Sequence, residues 1–258
     1  MGTVSFLLGA GFSYPFGVPM MRAFYNQFIT HVRQYRSHCL PLLDGLTGPS
    51  DAAPDLEALI QKIESVRGLR AGLALVQNDD KQLLDKLALA DELRGYLDAF
   101  LIETCERFDR NKVLAEASAF IQGVAAAGGE VFTTNYDRLV ETAASAAGLT
   151  VADGFDPPSS RPESAWVGRF EGGLKLVKLH GSVSWYQEEG SETLFRLERG
   201  YSLPSHEYRL THGSRALRPL MIIPTLEKSV LSFPYMTLLT QFTDALRESK
   251  LLIIIGNS

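Results

Sequence analysis

The chain has 258 residues, 45% of them hydrophobic and 21% charged, a globular balance that suits one large domain or a domain with a sizeable insert. A net charge of -5 argues against a nucleic-acid partner, because gripping a polyphosphate backbone calls for a basic excess. No apolar run approaches the roughly 20 residues needed to cross a bilayer, and no basic stretch leads into an apolar run as a secretory signal requires, which predicts a soluble, cytoplasmic protein.

Gly2 invites a myristoylation reading, but Phe6 stands where Ser or Thr is expected. The first apolar run, Val4 to Leu8, reads as a strand and enters Gly9-Ala10-Gly11-Phe12-Ser13. Without a Cβ, Gly9 and Gly11 allow a tight turn and a close approach to a pyrophosphate. Ser13 offers a hydroxyl to a phosphate oxygen or a ribose. The dehydrogenase fingerprint needs a third glycine where Tyr14 sits, and an acidic ribose ligand on a second strand, where residues 20 to 36 look helical. The loop therefore points to a nucleotide but away from hydride transfer; a purely structural turn is the plainer alternative.

Helical composition and spacing mark Met20 to Tyr35, Asp55 to Val66, Gln82 to Phe108 and Lys112 to Ala127. About 120 residues separate the first strand run from the next, far more than one crossover needs, so residues of about 40 to 115 are expected to form a helical insert. Cys39 and Cys105 are too few for a four-cysteine zinc module, and His31, His38, His206 and His212 show no metal-ligand spacing, so no metal is expected.

Glu130 to Phe132 is the second strand run, followed by Thr133-Thr134-Asn135-Tyr136-Asp137 and a helical run, Arg138 to Ala147. Polar side chains gathered after a strand lie where open α/β sheets hold their ligands; capping of the next helix by Asn135 or Asp137 is the competing role. Leu174 to Leu179 is the third run and delivers His180-Gly181-Ser182. A histidine there can take a proton near neutral pH, although a lone histidine at a strand end is more often a hydrogen-bonded structural residue. Residues of about 185 to 218 alternate polar and apolar types over Thr193 to Leu197 and Glu207 to Leu210, as an irregular β-rich excursion would. Trp166 and Trp185 read as packing residues.

Leu220 to Ile223 is a fourth strand run. A helix is expected from Ser232-Phe233-Pro234 to about Lys250, and Leu251 to Ile255, without polar alternation, suits a strand covered on both faces. Gly256-Asn257-Ser258 follows at once, which suggests that a longer protein continues beyond it. Strands alternating with helices predict an α/β fold with a Rossmann-like, mainly parallel sheet, helices on both faces and a helical insert.

In order and context these motifs resemble the sirtuin superfamily: Gly9 to Ser13 its Gly-Ala-Gly-x-Ser loop, Thr133 to Asp137 its Thr-x-Asn-x-Asp segment, His180-Gly181 its His-Gly, and Gly256 to Ser258 its last Gly-x-Ser loop. The resemblance implies NAD as substrate. Gly9, Ala10, Gly11 and Ser13 would hold its phosphates, and Thr134 would line the same site. Asn135 would position the nicotinamide ribose or a water, and Asp137 would hold the carboxamide. His180 would act as general base, and Gly256 and Ser258 would bind the adenosine half. The chain departs from the protein deacylases of the family. Tyr14-Pro15-Phe16-Gly17-Val18-Pro19-Met20 lacks their Asp and Arg, Thr134 replaces Gln, and two cysteines cannot build a zinc ribbon. The Thr-Thr-Asn-Tyr-Asp and Leu-His-Gly-Ser-Val-Ser-Trp forms look more like the sirtuin-like NAD hydrolases of bacterial anti-phage defence. That likeness implies an oligomeric effector controlled by a sensing domain or partner protein. A non-catalytic NAD or ADP-ribose sensor and an NAD-dependent deacylase are the alternatives.

Overall fold

A computed structural model describes residues 3–48, 56–75, 80–157, 163–188, 191–197, 217–221 and 233–256. In chain order the elements are β1 (Val4–Leu8), α1 (Ala10–Ser13), a 3-10 turn (Tyr14–Phe16), α2 (Met21–Tyr35), a second 3-10 turn (Ser37–Cys39), α3 (Leu40–Thr47), α4 (Leu56–Leu75) and α5 (Lys81–Glu106). Next come α6 (Arg110–Lys112), a π-helical turn (Val113–Ala117) and α7 (Ser118–Ala126), then β2 (Glu130–Thr133), α8 (Leu139–Ala146), β3 (Val151–Ala152), β4 (Glu163–Ala165) and β5 (Leu174–Lys178). The last elements are β6 (Gly181–Glu188), β7 (Leu194–Leu197), β8 (Leu217–Met221), α9 (Tyr235–Glu248) and β9 (Leu251–Ile255).

The described residues fall into two compact units, one drawn from Met1–Val18, Ile102–Ile222 and Ser229–Ser258, the other from Pro19–Leu101. The second unit is helical among its described residues. Phe24, Phe28 and Val32 recur four apart on α2, so one face of that helix is apolar and all three are buried. Phe28 packs at 5.4 Å from Phe100 and 6.1 Å from Tyr96, both on α5. These contacts group α2 with the later helices, so the helical unit takes in residues before position 40.

The first unit is built on a five-stranded, wholly parallel sheet in the order β3-β5-β2-β1-β9. β2 is buried along its whole length and β5 nearly so, their charged residues Glu130 and Lys175 paired with each other at 2.9 Å. The last apolar run behaves differently. β9 lies at the sheet edge, and Leu251 and Ile254 are more than half exposed, so among the described residues it is not covered on both faces. Leu220, expected in a run from Leu220 to Ile223, lies instead in β8 of a second, antiparallel sheet ordered β4-β7-β6-β8. That sheet also absorbs the alternation of Thr193 to Leu197 as β7, whereas Glu207 to Leu210, His206 and His212 lie outside the described residues. Trp185, fully buried, packs with Phe155 and Trp166 in the core between strands and α9. No helix among the described residues is long and apolar enough to cross a membrane.

Candidate active site

Parallel pairing fixes the site. Leu8 is in register with Thr133 on one side and Ile255 on the other, and Thr133 with Lys178. Four strands therefore release their loops at one level: Gly9 after β1, Thr134 after β2, Leu179 after β5 and Gly256 after β9. β5 and β1 flank β2, so two strand spacings, roughly 10 Å, separate the His180 loop from the glycine loop. The sheet order also reverses at β1, whose neighbours are reached in opposite directions, and such switch points open crevices at the strand ends.

The loops are bonded to each other. Gly9 N–H donates to the Ile255 carbonyl at 2.9 Å and Gly11 N–H to the Gly256 carbonyl at 2.8 Å, while Phe12 N–H turns back to Gly9. Thr134 N–H donates to the Leu8 carbonyl at 3.1 Å, and the Thr133 hydroxyl donates to the same carbonyl at 2.9 Å while accepting from Asn135 N–H. Leu179 N–H closes the other side on the Thr133 carbonyl at 2.8 Å. The glycine loop is thus partly consumed by its own junction with Gly256: the amides of Gly9, Gly11 and Phe12 are taken, and a ligand would have to use what remains of that loop.

Asn135 reaches across to β1. Its amide nitrogen donates to the Gly9 carbonyl at 2.8 Å and to Ser13 Oγ at 2.9 Å. A carbonyl only accepts, so the atom facing Gly9 must be the amide nitrogen; with both its hydrogens committed, Oδ1 is left as an acceptor. Ser13, read from sequence as a phosphate ligand, is only 1% exposed, its hydroxyl oxygen taken up by the Asn135 amide. Asp137 is 4% exposed and accepts from Leu139 N–H at 3.0 Å, a bond across the turn that enters α8, whose N-cap position is Arg138. Lys178, buried at the end of β5, donates to the Asp137 carbonyl and to Glu141 Oε1 at 3.1 Å. Lys178 is not among the residues singled out from sequence, where it is a second lysine beside Lys175 in the run from Leu174 to Leu179.

His180 is half-buried, with its ring 6.4 Å from that of Tyr136. Gly181 follows with φ +80°, and a Cβ there would lie 2.4 Å from the Leu220 carbonyl oxygen, so glycine is needed for the second sheet to close against the histidine loop. Gly256 is described and Ser258 lies outside the described residues. In the helical unit the side chains of His38, Cys39 and Glu92 approach within 4.8 Å of one another, a grouping that sequence spacing did not disclose. Glu92 is there hydrogen-bonded to His38 at 2.8 Å and paired with Arg36 at 3.8 Å, the contacts of a surface ion-pair cluster.

Burial pushes the Asp137 carboxyl above its ordinary pKa, although Lys178 and the Ser13 hydroxyl pull the other way. The ionised form is therefore disfavoured in the fold. The stability linked to this group is full below the unfolded pKa of about 3.9 and is lost as pH rises through the raised folded value. Asp137→Asn does not titrate. In urea unfolding from about pH 4 upward, it is expected to gain stability relative to the wild type and then run parallel to it. A relative loss over that range would mean that Lys178 outweighs burial.

A parallel sheet with polar loops gathered at one edge defines a Rossmann-type α/β ligand-binding domain. The chain belongs to the SIR2-like domain family, whose model matches residues 129–258, from β2 through the Asn135 and His180 loops to Gly256. Among solved structures, a Sir2 homologue–NAD complex is 17% identical, with 99% of this chain and 68% of that chain covered and a TM-score of 0.49. A mutant Sir2 homologue in complex with ADP-ribose is also 17% identical, over 99% and 70% of the two chains, at 0.47. Sir2Tm bound to a propionylated peptide is 17% identical over 99% and 82%, at 0.31. A search of curated protein sequences gave no match.

Proposed function

We propose that this chain binds NAD along the strand ends of β9, β1, β2 and β5 and hydrolyses it to nicotinamide and ADP-ribose, as the regulated effector of an anti-phage defence system. The observation that carries the reading is the fixed amide of Asn135, whose remaining acceptor stands on the loop beside that of His180. Membership of the SIR2-like family and the departures from the deacylase motifs support it. NAD would enter as substrate, and nothing in the chemistry calls for a metal.

Nicotinamide bound to ribose is already cationic. When the C1'–N bond breaks, its electron pair neutralises the leaving group, so no acid is required. The sugar develops oxocarbenium character, and the site has to hold it, exclude competing nucleophiles and admit one water. Asn135 Oδ1 can accept a hydrogen bond from that water or from a ribose hydroxyl. His180 takes the proton released as the new C1'–O bond forms. One NAD cation and one water give nicotinamide, ADP-ribose and one proton. In the assembled effector, self-association and a sensing domain or partner would set when the site works.

Purified chain incubated with NAD is expected to release nicotinamide without any acylated peptide, and His180→Ala to remove that release while leaving the melting curve in place. Release that appears only when acetylated peptide is added would identify a deacylase. Tight NAD binding without turnover, in the assembled state too, would identify a sensor.

A further inference from the structure

We propose that Lys178 is a positioning residue for this site, its buried ammonium group pinning the Thr134–Asp137 loop so that Asn135 holds a fixed orientation toward the ligand. The inference rests on the NAD-cleavage reading, and its geometry is that of this chain's own contacts.

Lys178 is 1% exposed and closes β5, in register with Thr133, from which the Asn135 loop departs. Burying an ammonium costs several kcal/mol unless it is paired, and a Leu or Met at a strand end would fill the same space without that cost. Here the pairing is directed at the loop. One bond goes to the main-chain carbonyl of Asp137 and one to Glu141 on the first turn of α8. Glu141 Oε2 has no hydrogen-bond partner among the described residues, so Lys178 is the charge that makes this carboxylate tolerable.

From Asp137 the connection continues to the reacting edge. Asn135 lies two residues before it in the same loop, and the Asn135 amide nitrogen donates to the Gly9 carbonyl and to Ser13 Oγ. Lys178 thus anchors one end of the short loop whose other end carries the side chain assigned to the water or ribose. It touches neither, and acts through the loop.

The test compares wild type, Lys178→Met, Lys178→Arg and the double variant Lys178→Met/Glu141→Gln in the full chain. Lys178→Met leaves the half-buried Glu141 without its ion-pair partner, so it is expected to lose stability, and the double variant to recover it. Positioning predicts that kcat in both stays at least about 10-fold below wild type while KM moves less than about threefold, with Lys178→Arg intermediate. Recovery of kcat together with stability in the double variant would reduce Lys178 to a structural role and overturn the proposal. Should the wild type release no nicotinamide, the NAD reading fails on its own. Hydrogen exchange then decides: faster exchange of the 133–139 amides in the double variant, with β1 still protected, supports positioning, and unchanged exchange overturns it.

Discussion

Asn135→Ala is expected to lower nicotinamide release by about 10²- to 10⁴-fold, the range lost when a positioned group of this kind is removed from a reacting centre. The fold should survive. The two bonds lost, to the Gly9 carbonyl and Ser13 Oγ, are half-buried and worth about 1 kcal/mol each. Asn135→Asp separates the two contributions. Aspartate has nearly the same shape but no amide hydrogens, and its carboxylate would face the Gly9 carbonyl with no donor to offer it. It should therefore melt below the alanine variant while being no more active. Steady-state nicotinamide release, read beside thermal melting, checks both statements. Alanine turnover within a few-fold of wild type would remove Asn135 from the chemistry, whatever happened to stability.

The central strands were legible because strands buried on both faces are short and mainly apolar, and Val4 to Leu8, Glu130 to Phe132 and Leu174 to Leu179 each became one, within a residue at the ends. Loops that follow parallel neighbours must emerge together, so convergence of Gly9, Asn135, His180 and Gly256 followed from order alone once those strands paired. Direction did not. A phosphate role for Ser13 assumes an outward hydroxyl, yet the side chain is buried against the Asn135 amide; only packing chooses that rotamer. Lys178 was illegible because its meaning lies in partners 37 and 41 residues away. The second sheet was partly hidden for the same reason: β4 has three residues, and its pairing with β7 is non-local. The same non-local logic moved the start of the helical unit, since the apolar face of α2 takes its partners from α5.

Gly256→Ala is expected to cost about 3 kcal/mol or more, a fall in Tm on the order of 10 °C, and to open the junction between β9 and the glycine loop. Two effects combine. With φ at +67°, Gly256 sits in the left-handed region, where an L side chain pays roughly 1–2 kcal/mol. A Cβ there would also lie 2.1 Å from the Phe12 nitrogen and 2.5 Å from the Gly11 carbonyl carbon. Both are main-chain atoms, so no side chain can swing aside, and relief has to come from displacing the loop. Gly148 provides the control: its φ is +71°, and an added Cβ meets nothing within 4 Å. Gly148→Ala therefore carries the backbone strain without the overlap, and the difference between the two variants isolates the close approach. Gly11→Ala tests the contact from the opposite side, since its Cβ would lie 2.8 Å from Gly256 Cα at an ordinary φ. Melting of Gly256→Ala within a degree or two of Gly148→Ala would show that the loops do not meet as described. If they do meet, the glycines at both positions serve the seam between strand ends, and the site assembled beside them inherits its shape from that seam.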